Sequence, residues 1–191
     1  MQTYRDVPAQ ADALAQRLRA GEVFAYPTEA VMGLGCDPSS ETAVTRICKL
    51  KLRQVEQGVL LIAADFSQVA PYVDMAQVPQ AALERVLASW PGPFTWIFPR
   101  SERVPAWVSG RHAGIALRVT DHPVAAALCR AFGGALVSTS ANPHGQPAAR
   151  TGDEVRSYFP QGIDVLVDEA VGGLARPSEI RDALTGELVR G

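Results

Sequence analysis

Short apolar runs that alternate with segments of helical periodicity, with no internal repeat and no low-complexity stretch, predict an α/β fold for this 191-residue chain. One connection refines the class. Between the strand-like runs Phe94–Phe98 and Ile115–Val119 lie residues Pro99 to Gly114, broken by Trp107, Gly110 and Gly114 and too short for a crossover helix. Some neighbouring strands must therefore run antiparallel, and the expected architecture is a twisted, mixed, open sheet flanked by helices. With 47% hydrophobic and 20% charged residues the chain can bury one sizeable core, so one domain over residues 1–191 is expected.

Asp6 and Pro8 mark a helix start, Ala11, Leu14, Ala15 and Leu18 form its apolar stripe, and Gly21 is placed to end it. A strand follows at Val23–Tyr26. The stretch Pro27 to Pro38 reads as a long loop, in which Gly33 and Gly35 would allow close backbone approach. It matches neither G-x-G-x-x-G nor G-x-x-x-x-G-K-[ST], so it is as readily a structural turn as a binding loop. Val44, Ile47, Cys48 and Lys51 then share one helical face, which puts Lys51 and Arg53 at a helix end. Further strands are expected at Val59–Ile62, Phe94–Phe98, Ile115–Val119, Leu136–Val137 and Asp164–Val167, and further helices over Val78 to Trp90 and His122 to Phe132.

Several chemistries are disfavoured. No apolar run approaches a bilayer's thickness, and the amino terminus has no basic segment followed by an apolar one, so a cytoplasmic location without membrane contact is expected. Cys36, Cys48 and Cys129 are odd in number and widely spaced, which fits reduced, buried thiols better than disulfides or a zinc ribbon. His112, His122 and His144 lack metal-ligand spacing and suit cap or surface roles. Ser140 lacks the G-x-S-x-G elbow of a hydrolase nucleophile. A net charge of −2 provides no general footprint for nucleic acid, so any anion site must be local.

Two segments supply such a site. Lys51 and Arg53 bring fixed cations to a helix terminus, and Ser138-Thr139-Ser140-Ala141-Asn142 brings hydroxyls and an amide to the carboxyl end of a strand, where open α/β sheets bind ligands. Together they predict a site for an anionic, phosphorylated small molecule. Taken singly, Lys51 and Arg53 read equally well as a solvated helix end favoured by the dipole.

A series of motifs runs through the chain: Tyr-Pro-Thr-Glu at 26–29, Gly-Leu-Gly-Cys-Asp-Pro at 33–38, Lys-x-Arg at 51–53 and Trp-Pro-Gly-Pro at 90–93. It continues with Arg-Val-Thr-Asp-His-Pro at 118–123, Ser-Thr-Ser-Ala-Asn at 138–142, Pro-Ser-Glu-Ile-Arg-Asp at 177–182 and Arg190. In these motifs, over essentially its whole length, the chain resembles the YrdC/TsaC family of L-threonylcarbamoyladenylate synthases in their short bacterial form, without an extra carboxyl-terminal domain. The resemblance implies a YrdC-like fold with a concave, positively charged face, and an enzyme that condenses L-threonine, bicarbonate and ATP into threonylcarbamoyl-AMP and pyrophosphate. It also implies hand-over to threonylcarbamoyl-transfer proteins of the TsaB, TsaD and TsaE type, which modify an adenosine beside the tRNA anticodon. By the same resemblance Lys51, Arg53, Ser140 and Asn142 surround the nucleotide, Arg190 contributes to ATP binding, and Thr28, Arg118, Ser138 and Ser178 lie near the threonine.

That chemistry suits those residue types. A carbamate must attack the α-phosphorus of ATP with both partners anionic, so fixed cations are needed and no enzyme nucleophile is. Arg118 sits in the apolar alternation Ile115–Val119, where its charge is costly without a partner. The threonine carboxylate, matched by the planar guanidinium, is the expected partner. Magnesium is expected with ATP, and Glu29 and Asp37 are its candidate protein ligands. The competing reading is a basic surface that binds RNA weakly. Four positions depart from the family's usual pattern, namely Met32, Gln54, Gln57 and His144, and they leave the four nucleotide residues intact.

Overall fold

The computed structural model describes residues 1–175 and 178–190; Pro177, at the head of the motif at 177–182, lies outside them. In chain order the elements are β1 (Gln2–Tyr4), α1 (Ala11–Arg19), β2 (Phe24–Pro27), β3 (Met32–Gly35), α2 (Glu41–Leu50), β4 (Leu60–Ala63) and α3 (Phe66–Val69). There follow α4 (Gln80–Leu87), β5 (Phe94–Pro99), α5 (Ala106–Ser109), β6 (Gly114–Val119), α6 (Pro123–Phe132), β7 (Leu136–Ser140), α7 (Gly152–Tyr158), β8 (Val165–Val167), β9 (Glu179–Asp182) and β10 (Leu188–Arg190). The sheet is mixed, with strand order β1-β8-β2-β3-β7-β4-β6-β5-β9-β10. β5 and β6 run antiparallel, as the short link between them requires, and that link forms only the single turn α5.

Period-two alternation divides the core into two layers. Leu61, Leu117 and Val137 face a cluster that includes Val44 and Ile47 of α2, Val86 of α4, Val108 of α5 and Val155 of α7. Ile62 and Leu136 face the opposite cluster, which is built on Leu14 and Leu18 of α1 and on Ala125 and Leu128 of α6. Paired residues in a sheet share a face, and Ile62 stands opposite both Leu136 and Arg118. Arg118, and Ser138 and Ser140 in phase with Leu136, thus project from the face that α1 and α6 cover elsewhere.

The structure corrects the sequence reading between residues 27 and 38. The expected loop contains β3, buried throughout and paired antiparallel with both β2 and β7. Glycine, depleted in strands, hides it from periodicity. A Cβ on Gly35 would come within 2.3 Å of the Val137 carbonyl oxygen and 2.7 Å of the Tyr26 ring. The Tyr26 hydroxyl donates to that same carbonyl at 3.1 Å. Two other elements are trimmed. The first helix begins at Ala11 after a 3-10 turn, Val7–Gln10, that contains Pro8, and the helix expected over 78–90 spans only α4.

Gly35→Ala should destabilise the protein by roughly 3 kcal/mol, because the backbone of β7 cannot retreat from an added methyl. A denaturant midpoint equal to wild type would show that the β3–β7 contact is looser than described.

Candidate active site

The first polar centre is made by the end of α2. Its amino terminus is capped by Ser40 Oγ, which accepts from the Ala43 N–H at 3.3 Å. At the other end the Arg53 N–H donates to the Cys48 carbonyl at 2.9 Å and the Leu52 N–H to the Lys49 carbonyl at 3.1 Å. This is a Schellman closure. Its left-handed position is held by Leu52 at φ 54 rather than by glycine, at a cost of about 1 kcal/mol. Leu52 itself is 77% exposed, whereas Lys51 turns inward and is only 5% exposed.

Lys51 Nζ donates to the Ser140 carbonyl, to the Asn142 carbonyl at 2.9 Å and to Asn142 Oδ1 at 3.2 Å. Ser140 Oγ donates to the same Oδ1 at 2.6 Å, and Asn142 Nδ2 donates to the Gln146 carbonyl at 2.7 Å. The His144 N–H returns to the Lys51 carbonyl at 2.9 Å. The two segments singled out in the sequence therefore form one unit around a buried ammonium. Burial, and then the like charge of Arg53, push the Lys51 pKa down to about 8.

Arg53 Nη2 donates to the Gln57 carbonyl at 3.0 Å and the Gly58 carbonyl at 2.6 Å, while its Nε is buried without a partner among the described residues. Burial lowers its pKa, and the like charge of Arg190, in β10, acts in the same direction. The departures from the family pattern are accommodated. Gln54 has φ −74, within proline's range, Gln57 contributes its carbonyl, His144 contributes its backbone N–H, and Met32 lies in the core rather than lining the site.

The second centre surrounds Arg118, which is 9% exposed. The sequence predicts a bound carboxylate as its partner; the observed partner is Glu29. Arg118 Nη1 donates to Glu29 Oε2 at 3.1 Å, Nε and Nη2 donate to Thr95 Oγ1 at 3.0 and 2.9 Å, and Nη2 also donates to Ser178 Oγ. Thr120 Oγ1 donates to Glu29 Oε1 at 2.6 Å. Burial cost alone thus does not call for a ligand, because the chain itself neutralises the charge.

Thr28 and Ser138 lie between the two centres. A Cβ on Gly33 would meet Ser138 Oγ and Thr28 Cγ2, each at 3.3 Å. Gly33 stands opposite Ser140 in the sheet, and Ser138 and Ser140 are two residues apart on one strand, roughly 7 Å. Thr28 Oγ1 donates to the Val31 carbonyl at 2.7 Å. Gly172 and Leu174 donate their N–H groups to the Thr28 and Glu29 carbonyls, and the His122 ring, buried at the cap of α6, lies 3.2 Å from the Ala170 carbonyl.

Both candidate metal ligands take part in hydrogen bonds within the chain. Both Glu29 oxygens are engaged, and Asp37 Oδ1 accepts from the Ser39 N–H and hydroxyl, each at 2.7 Å. No group of three or more His, Cys, Asp or Glu side chains able to hold a metal occurs among the described residues. Sequence reading gave no site role to Thr95 or to Thr120, although Thr120 lies within the motif at 118–123. Their shared signal is a hydroxyl within or directly after an apolar strand.

The geometry provides cations, hydroxyls and fixed carbonyls, and pairs no serine or cysteine with a histidine base among the described residues. It is a site that binds and polarises anions rather than one that attacks them.

The model of the Sua5/YciO/YrdC family, described as telomere recombination, matches residues 16–190, and the chain belongs to this family. It is 52% identical over 184 residues to the threonylcarbamoyl-AMP synthase of Shigella dysenteriae serotype 1, covering 95% of this chain and 96% of that protein. It is 51% identical over 179 residues to the enzyme of the same name from Stenotrophomonas maltophilia, covering 94% and 96%. Among solved structures it is similar to P. abyssi Sua5 complexed with L-threonine, with TM-score 0.86, 28% identity, 94% of this chain and 53% of that one covered. It also shares the fold of E. coli YciO, with TM-score 0.83, 22% identity, 100% of this chain and 97% of that one covered.

Lys49 and Lys51 are the chain's only lysines, so labelled lysine side chains can be followed by NMR with little overlap. Lys51 should titrate near pH 8, and Arg53→Gln should move its midpoint upward by removing a like charge. A midpoint at the ordinary lysine value of about 10.4 would contradict the burial of the ammonium.

Proposed function

We propose that this chain is a threonylcarbamoyl-AMP synthase that condenses L-threonine, bicarbonate and ATP, releasing pyrophosphate. The observation that carries the reading is the union of Lys51 with the Ser140–Asn142 turn, beside the like charge of Arg53. The family relatives bear this enzyme's name over nearly their whole length.

In this reading threonine docks its carboxylate at Arg118 and Ser178, and its hydroxyl meets the Thr28 and Ser138 side. Its amine combines with bicarbonate to give a carbamate, with loss of water. A carbamate oxygen then attacks the α-phosphorus of ATP, the bond to the β-phosphate oxygen breaks, and pyrophosphate departs with that electron pair. Lys51, Arg53 and Arg190 offset the negative charge that both partners bring, and Ser140 and Asn142 hold the adenylate. In a partly buried site such fixed charges act more strongly than in water and need no reorganisation. A pocket that hydrogen-bonds the substrate hydroxyl rejects an isostere without one, so valine is a poor substrate.

In this reading magnesium enters with ATP as part of the substrate complex. The product is a mixed anhydride suited to transfer proteins of the TsaB, TsaD and TsaE type, which carry the threonylcarbamoyl group to tRNA. Direct RNA binding by this chain is disfavoured by its net charge of −2.

Pyrophosphate release measured with threonine and bicarbonate added singly and together tests the reading. Release should require both, because neither alone supplies the carbamate. ATP turnover indifferent to threonine would refute it.

A further inference from the structure

We infer that Thr95 is a positioning residue for threonine recognition, fixing the plane of the Arg118 guanidinium so that its remaining Nη1 donor is presented to the substrate carboxylate. The inference rests on the functional reading above and adds a residue that the reading does not use. Thr95 is wholly buried in β5, within the apolar run Phe94–Phe98. A hydroxyl placed there without a partner would cost stability. Its Oγ1 accepts from both N–H groups on the Nε–Nη2 side of Arg118, at 3.0 and 2.9 Å, and so occupies one of the two edges through which a guanidinium grips a carboxylate.

The orientation is fixed from a second direction. Glu29 Oε2 accepts from Nη1 at 3.1 Å and is itself steadied by the Thr120 hydroxyl on Oε1 at 2.6 Å. Ser178 Oγ accepts from Nη2 and lies 3.4 Å from Thr95 Oγ1. These contacts use four of the five N–H donors that a guanidinium carries; the fifth, on Nη1, has no partner among the described residues. The substrate carboxylate is therefore left the free Nη1 donor, with the Ser178 hydroxyl on the same guanidinium, and finds the arginine already held. Preorganisation of this kind raises affinity for the ligand that uses the arginine and leaves the nucleotide centre alone.

The test is steady-state kinetics of Thr95→Val and Thr95→Ser in wild-type and Arg118→Lys backgrounds. Valine keeps the shape and removes the acceptor, so the KM for threonine should rise roughly tenfold or more, while the KM for ATP stays within about twofold. Thr95→Ser, which keeps the oxygen, should restore most of the loss. In the Arg118→Lys background, itself weakened for threonine, Thr95→Val should add little, because Thr95 acts through the arginine. Parallel rises in both KM values, failure of serine to rescue, or an undiminished effect of Thr95→Val in the Arg118→Lys background would each overturn the inference by placing Thr95 in the scaffold. If Thr95→Val does not fold, Thr95→Ala makes the same comparison. A wild-type protein whose pyrophosphate release ignores threonine would instead remove the functional reading beneath the inference; normal threonine kinetics in Thr95→Val would remove the inference alone.

Discussion

The candidate site depends on one buried ammonium. Lys51 Nζ draws the end of α2 and the turn after β7 together by donating to two backbone carbonyls and a side-chain amide oxygen. An ammonium has three N–H donors, and these three acceptors use them all. Charged donors form the stronger hydrogen bonds, which helps offset the cost of holding the charge at 5% exposure. The compromise remains visible in the lowered pKa of about 8. A cation so placed is only partly satisfied by neutral carbonyls, and an anionic ligand gains from it what those dipoles cannot provide.

Arg118 is treated differently. It has a full countercharge in Glu29 and neutral acceptors in Thr95 and Ser178. One centre thus holds excess positive charge near Arg53 and Arg190, suited to a polyanion. The other is nearly neutral overall and suited to a zwitterion, whose carboxylate and amine bring little net charge. The antiparallel β3–β7 pairing, with close approach at Gly33 and Gly35, brings Thr28 of the loop after β2 beside Ser138 of β7.

Elements with clean periodicity were legible in the sequence. The strands around 24–26, 60–62, 94–98 and 115–119 and the helix at 123–132 lie where apolar alternation or helical spacing puts them, because each buries at least one face. β3 was hidden by its glycines. β9 and β10 were hidden because half-buried and exposed strands carry Glu179, Arg181 and Arg190 instead of an apolar stripe. α7 was missed although Thr151 and Glu154 form a full capping box, a signal that the sequence does display. The pairing of Arg118 with Glu29 spans 89 positions and follows from tertiary register, which no local pattern encodes. That Lys51 and the Ser138–Asn142 segment form one site was legible from their places at a helix end and at the carboxyl end of a strand, and the family resemblance implied it as well.

Amide hydrogen exchange in Lys51→Met tests the central role of that ammonium most directly. Methionine keeps the unbranched stem and removes the charge, so the His144 N–H, which bonds the Lys51 carbonyl, and the Gln146 N–H in the same turn should exchange roughly tenfold faster or more. Amides in the middle of α2, held by their own helix and its packing against the sheet, should keep wild-type rates. Unchanged protection of the 140–146 turn in Lys51→Met would show that the turn stands without the lysine, and the account of a site built around one buried cation would be wrong.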